Sequence, residues 1–313
     1  MLNIRKCAIV GAGFVGSTSA FALLQGGLFS EIVLIDINRK RAEGEAMDLN
    51  HGMSFTQPAK LYAGDYDDLA DAALVILAAG ANQQPGETRL DLLHKNAAVF
   101  RSVVAEVARR NRDCILLVVT NPVDVLTWAT LKYSGFPPER VLGSGTVLDT
   151  ARLKFLLGER FAVDSRNIHA YIIGEHGDSE LPLWSTANVG GVDLKDFCAD
   201  CGKCDDLACL REAFEETRTS AYRIIEGKGA TYYAVALAVR RIAEAIVRDE
   251  RSILTVSCLL QGQYGLRDVC VGVPAIVGSG GVRQVLDLKV SPEELAGLRH
   301  SAQVLRDAYP ALE

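Results

Sequence analysis

His176 sits in IIGEHGDSELP, at the end of an apolar run and between two glycines, and LDTARL places Asp149 and Arg152 three residues apart. A carboxylate beside an imidazole fixes its tautomer and favours the protonated form, which can then act as an acid. Residues three apart on a helix share nearly one face, so an arginine there extends the same group. Its planar guanidinium matches a carboxylate bidentately, as lysine cannot. A second arginine, Arg89, closes the polar stretch AGANQQPGETRLDL (79–92), beyond a Pro85–Gly86 pair that could let the segment swing. Each residue has a plainer reading alone: a hydrogen-bonded structural histidine, an N-capping aspartate, solvated surface arginines. Taken together they could supply an acid/base, its orienting partner and a carboxylate anchor, with the Arg89 stretch either a surface connector or a lid carrying a charge.

GAGFVG (11–16) offers a second kind of chemistry, with Gly11, Gly13 and Gly16 in the G-x-G-x-x-G spacing. Glycines are frequent and the string is short, so context decides. The apolar run KCAIV precedes it, a helical stretch follows, and Asp36 ends the next apolar run, twenty residues past Gly16. Gly11 then permits the tight turn, Gly13 the approach of a pyrophosphate, and Gly16 the packing of helix on strand, with the helix N-terminus facing the anion. Asp36 would accept hydrogen bonds from a ribose 2′-hydroxyl and repel a 2′-phosphate, favouring NAD. Arg39, Lys40 and Arg41 leave some tolerance of NADP open.

The elements that must position these residues alternate through the first half. Strands are expected at 6–10, 31–36, 73–79 and 114–120, with helices at roughly 14–26, through RAEGEAMDLN, and from about 88 to 111. Near-continuous apolar strands separated by helices mean a parallel sheet covered on both faces, here a doubly wound Rossmann domain. The second half reads as strands at 169–179, 252–260 and 268–277 with long helices near 208–226, 231–248 and 291–309, an α+β arrangement with some antiparallel sheet. The fold class is therefore α/β, with a dinucleotide-binding domain over 1–144 and a catalytic, substrate-binding domain over 145–313.

Composition narrows the function. The 313 residues suit two lobes rather than one core, and 49% hydrophobic with 23% charged residues is ordinary for a globular protein. A net charge of −6 argues against a phosphate-backbone binder, so no nucleic-acid partner is expected. No apolar stretch reaches membrane-spanning length, and MLNIRKCAIVGAG reads as a first strand rather than a signal peptide, so no membrane partner is expected and the location is cytoplasmic.

The set GAGFVG, AGANQQPGETR, TNPVD, LDTAR, GEHGDS and GATYY resembles the lactate/malate dehydrogenase family over nearly the whole chain. Within it, the match is to the bacterial L-lactate dehydrogenases. The resemblance implies reversible hydride transfer between NADH and pyruvate, giving L-lactate and NAD. It gives His176 the role of proton donor and acceptor, Asp149 that of its orienting partner, Arg152 that of substrate-carboxylate anchor, and Arg89 that of a lid cation polarising the carbonyl. Asn121 would bind the reacting oxygen or the cofactor side, and Thr231 would line the methyl end of the substrate. Val15, Arg41, Tyr66, Gly80, Ala81 and Ser144 join the glycines and Asp36 along the cofactor.

Gln83 occupies the position that reads the far end of the substrate, where malate dehydrogenases carry an arginine. Oxaloacetate would bury an unpaired carboxylate over it, which favours pyruvate and leaves longer neutral 2-oxo acids open. A catalytically silent dinucleotide-binding regulator is the reading from another class, and the presence of His176, Arg152 and Arg89 argues against it. The family also implies a homotetramer, and in its bacterial members an effector, fructose 1,6-bisphosphate, held between subunits by an arginine and a histidine. His169 matches that histidine, or is a strand histidine with one backbone hydrogen bond; Lys154 stands where the arginine is usual and lacks its bidentate fork, so the effector site is weakened or absent.

Eight cysteines with no export signal suggest reduced thiols. Cys198, Cys201, Cys204 and Cys209 in FCADCGKCDDLAC have a spacing that would suit zinc or an iron–sulfur cluster, but the family has a variable connection here and no metal is expected. Cys7, Cys114, Cys258 and Cys270 lie in apolar strands and read as small core residues.

Overall fold

The computed structural model describes residues 2–81, 89–200 and 208–312, without the side chains of residues 89, 90 and 200. Its first half runs β1 (Asn3–Val10), α1 (Phe14–Gly26), β2 (Glu31–Ile35), α2 (Arg39–His51), β3 (Lys60–Ala63), β4 (Ala72–Leu77), α3 (Arg89–Arg110), β5 (Ile115–Val118), α4 (Val123–Ser134) and β6 (Val141–Gly143). The second half runs α5 (Val147–Phe161), β7 (Ile168–His169), β8 (Ile172–Ile173), β9 (Leu181–Pro182), β10 (Asn188–Val189), β11 (Val192–Asp193), α6 (Leu194–Asp200), α7 (Ala208–Lys228), α8 (Tyr233–Val247), β12 (Ser252–Gln261), β13 (Arg267–Gly278), β14 (Gly281–Val285) and α9 (Pro292–Ala308).

The order across the large sheet is β3-β2-β1-β4-β5-β6-β12-β13-β14. Its first six strands are parallel, and the order turns back between β1 and β4. In a doubly wound sheet that switch point opens a crevice beyond the carboxyl ends of the strands, which is where ligands bind. The apolar runs are strands for the expected reason: Ile9, Leu34, Ile76 and Leu117 are wholly buried between helix layers. Cys7, Cys114, Cys258 and Cys270 belong to that core, and burial raises all four thiols above the ordinary range.

Two departures from the sequence reading concern the second half. The long strands β12 and β13 extend the first sheet, β12 pairing antiparallel with β6 through Ser257 and Gly143. Second, 169–179 is not one strand. It holds the two-residue strands β7 and β8 and then a turn, broken at Gly174, whose φ of +97° is open to glycine and strained for other residues. His176 therefore sits on a turn rather than a strand end. A separate core of Leu153, Leu157, Phe161, Ile168, Ile172 and Leu210 packs α5 and α7 around β7 and β8.

Candidate active site

Four stretches distant in the chain meet at His176. The first turn of α5 brings Asp149, buried to 2% exposure, and one turn on it brings Arg152. Asp149 Oδ2 lies 2.5 Å from His176 Nδ1, and Arg152 Nη1 donates to Asp149 Oδ1 at 2.8 Å. From the start of α4, Asp124 Oδ2 accepts the backbone N–H of His176 at 2.8 Å. From α9, Ser301 Oγ accepts the N–H of Glu175 at 2.6 Å and contacts Ser179 Oγ at 2.9 Å. The turn carrying the histidine is thus pinned from both sides.

These partners set the charges. Burial alone would lower the pKa of His176, but the charge and hydrogen bond of Asp149, with Asp124 and Glu180 behind, raise it to about 9. Burial works against the charge on Asp149 too, yet His176 and Arg152 hold its pKa below the ordinary range. The imidazole is therefore a cation at neutral pH, its Nδ1 occupied by the carboxylate and Nε2 left as the group that can donate. Burial lifts Asp124 to about 6. Asp149, His176 and Glu180 bring ligand-type atoms within 4.8 Å of one another. A cation there would have to displace the Asp149–His176 hydrogen bond beside the Arg152 guanidinium, so the cluster suits proton chemistry better than metal binding.

The glycine turn between β1 and α1 has the shape a dinucleotide needs. A Cβ on Gly11 would fall 2.4 Å from Ala79 N, and one on Gly16 would fall 1.8 Å from Gly11 O. A Cβ on Gly13 would meet nothing within 4 Å, and no side chain caps α1 there. The helix thus presents uncapped N–H groups and its positive end to open space, as pyrophosphate binding requires. Asp36 Oδ2 accepts from Ala12 N at 2.7 Å and Oδ1 from Asn38 N at 2.8 Å, which fixes the carboxylate beyond the end of β2. The chain's residues fit NAD.

The other residues singled out in the sequence are placed as follows. Val15 packs against the main core, Arg41 lies over the Phe14 ring at 5.8 Å, and Tyr66 is half-buried, close enough to Asp36 to be raised by its charge after burial and Glu106. Gly80 and Ala81 follow β4, where Ala81 N donates to Asn96 Oδ1 at 2.8 Å. Asn96 Nδ2 donates in turn to Asn121 O at 3.0 Å, so one buried side chain of α3 ties the β4 and β5 loops together. Asn121 itself is exposed and precedes a cis Pro122. Ser144 N donates to Val118 O at 2.8 Å. Thr231 precedes Tyr232, whose ring stacks on Phe14 at 5.4 Å, so GATYY lies beside the nucleotide turn. Lys154 is half-buried on α5 and His169 is exposed on β7, two elements that pack together. Gln83 and the side chain of Arg89 lie outside the described residues.

Sequence reasoning passed over Asp124, Asn96, Ser301 and Glu180. Asp124 is the last residue of TNPVD and Glu180 follows GEHGDS, so both lie in or beside strings already quoted. Asn96 and Ser301 carry no local signal, being polar residues inside long helices. In the cysteine-rich stretch, Cys198 is buried and its Sγ lies 3.3 Å from Cys209 Sγ, while Cys201 and Cys204 lie outside the described residues.

Two family profiles match the chain: lactate/malate dehydrogenase, NAD binding domain, over residues 5–143, and lactate/malate dehydrogenase, alpha/beta C-terminal domain, over residues 146–311. An L-lactate dehydrogenase of Acetivibrio thermocellus is 56% identical over 310 residues, covering 99% of this chain and 98% of its own. L-lactate dehydrogenase 1 of Clostridium acetobutylicum is 54% identical over 313 residues, the whole of both chains. Among solved structures, the minor L-lactate dehydrogenase from Enterococcus mundtii in its ligand-bound form superposes with a TM-score of 0.96 at 42% identity, covering 99% of this chain and 98% of that one.

Proposed function

The chain belongs to the lactate/malate dehydrogenase family, and we propose that within it the protein is an NAD-dependent L-lactate dehydrogenase interconverting pyruvate and L-lactate. The observation that carries this is the Asp149–His176–Arg152 group, a protonated imidazole beside an arginine able to hold a carboxylate. Residues 1–144 bind the dinucleotide and 145–313 supply the substrate-side groups.

Bound NADH supplies the hydride. His176 donates its Nε2 proton to the substrate oxygen as that oxygen gains charge, and takes it back in lactate oxidation. Asp149 keeps the ring in the tautomer that leaves Nε2 as donor, and stabilises the imidazolium. Arg152 binds the substrate carboxylate while one of its nitrogens remains on Asp149. Asn121 donates to the reacting oxygen, Thr231 lines the methyl end, and Arg89 brings a second cation to the oxygen when its segment closes and excludes water. Gln83 faces the far end of the substrate and offers no charge to a second carboxylate. Gly11, Gly13, Val15, Gly16, Asp36, Arg41, Tyr66, Gly80, Ala81, Asn121 and Ser144 line the cofactor.

The proposal extends to a cytoplasmic homotetramer that responds weakly or not at all to fructose 1,6-bisphosphate. Exposed Phe14, Phe21, Tyr233 and Leu237 on α1 and α8 support self-association, and thiols kept in a reduced core suit the cytoplasm. No helix among the described residues is long and apolar enough to cross a membrane. Lys154 is half-buried on α5, and burial lowers its pKa. The test is the initial rate of NADH oxidation with pyruvate and with oxaloacetate, each with and without fructose 1,6-bisphosphate, alongside light scattering for mass. Strong preference for pyruvate is expected; preference for oxaloacetate overturns the assignment.

A further inference from the structure

Glu180 has no part in the reaction as described, yet it shares the centre. Its side chain is 7% exposed, and a carboxyl oxygen lies within 4.8 Å of ligand-type atoms on both Asp149 and His176. Its Oε1 is buried without a hydrogen-bond partner among the described residues. That oxygen lacks both water and donors, an arrangement that disfavours ionisation of the carboxyl. Burial and then the charge of Asp149 accordingly raise its pKa to about 8.

The charges facing it come from several elements. Asp149 and Arg152 approach from α5, His176 from its own turn, and Arg218 from α7. Arg152 donates to Asp149 and Arg218 to Glu215, at 2.8 and 2.7 Å, and their charges offset burial and Asp149 at Glu180 only in part. Asp124 faces His176 from α4, and α9 places the hydroxyl of Ser301 against the turn. With Glu180 neutral, the pocket avoids a further negative charge beside those of Asp149 and Asp124, which suits an anionic substrate.

We infer that Glu180 is a positioning residue for the proton step: it rests as a neutral carboxylic acid, and its charge state sets how tightly His176 holds its proton. The inference rests on the reading of His176 as the proton donor. It adds no proton transfer of its own. When Glu180 ionises, a negative charge appears within 5 Å of the imidazolium and strengthens its hold on the proton.

Glu180→Gln keeps the shape and fixes the neutral state. Titration of the histidine ring resonances in carbon-13-labelled full-length protein, with His176 assigned from His176→Asn, reads the effect directly. The His176 pKa is expected to fall by at least about half a unit in Glu180→Gln, and the alkaline limb of kcat/KM for pyruvate to move to lower pH by the same interval. Thermal melts of the same pair give a readout independent of turnover. A carboxyl whose pKa is raised by folding destabilises the fold progressively from its unfolded value, about 4.3, up to about 8. The variant should therefore melt higher than the parent at pH 8, with the gap closing toward pH 5. An unchanged His176 titration, or a gap in melting temperature that does not vary with pH, overturns the inference. Failure of the parent to reduce pyruvate would instead overturn the dehydrogenase reading, and leaves both of these measurements interpretable.

Discussion

Asp149→Asn tests the centre most directly, because the variant is nearly isosteric and removes only the charge. In the parent, burial depresses His176 and Asp149, with smaller help from Asp124 and Glu180, more than compensates, carrying the pKa from 6.5 to about 9. That interval corresponds to about 3 kcal/mol of preference for the imidazolium. Asparagine keeps the burial and loses the compensation, so the pKa should drop below 6.5. At pH 7.5 the imidazole would change from almost wholly protonated to less than about 10% protonated, a loss of at least ten-fold in kcat/KM for pyruvate from protonation alone. The asparagine amide can also donate to Nδ1 and select the wrong tautomer, and Arg152 loses its tether; together these bring the expected loss to on the order of a thousand-fold. The assay is kcat/KM for pyruvate from pH 5.5 to 10 at saturating NADH. The parent should be flat and then fall as pH rises through about 9; the variant should already be falling below 6.5. A variant whose alkaline limb still lies near 9 refutes the argument, because the carboxylate would then not be what holds the proton on His176.

Other perturbations follow from the same geometry. Gly13→Ala should leave the thermal stability of the unliganded protein within about 0.5 kcal/mol, since its Cβ meets nothing, yet weaken NADH binding measured by fluorescence titration at least ten-fold. Gly11→Ala should lose at least about 2 kcal/mol of stability by urea unfolding, because its Cβ collides with the Ala79 backbone at a φ of +104°. Equal effects of the two substitutions would remove the reason for assigning Gly13 to the pyrophosphate. Gln83→Arg should move the ratio of kcat/KM for oxaloacetate over pyruvate upward by at least about ten-fold, by pairing a carboxylate otherwise buried alone. An unchanged ratio would show that position 83 does not set specificity.

How much of this was legible beforehand depended on the range of the interaction. The helix expected at 14–26 is α1 to the residue, because a glycine turn starts it and Gly27, at a φ of +59°, ends it, both local signals. Strands β4 and β5 were readable as apolar runs buried on both faces. By contrast, β7 and β8 read as one long strand, since what separates them is long-range: β7 pairs with β10 and β8 with β9, in different sheets. The joining of β12 to β6 was equally invisible, because an antiparallel edge adds to a parallel sheet without changing either sequence pattern. The site divides in the same way. Asp149 and Arg152 are one helical turn apart, and their contact follows from α5 alone. That Asp149 reaches His176, twenty-seven residues on, depends on the β8 turn and is a property of the fold.

The least legible contact bears most on function. Asp124 lies in the same TNPVD string as Asn121, immediately after β5 in the dinucleotide-binding half, and its carboxylate holds the backbone N–H of His176 in the other half. Asn96 ties Asn121 to the loop after β4. On the proposed reading of His176, the position of the proton donor is therefore referenced to the same two strand ends that define the cofactor crevice. Hydride and proton must reach adjacent atoms of one carbonyl, and a misplacement of an ångström costs about a hundred-fold in rate. Nothing in the residue types of TNPVD announces this, since an aspartate at a helix start reads as a cap. Here the side chain leaves its own helix, and its first-turn position serves to reach across the boundary between the two halves.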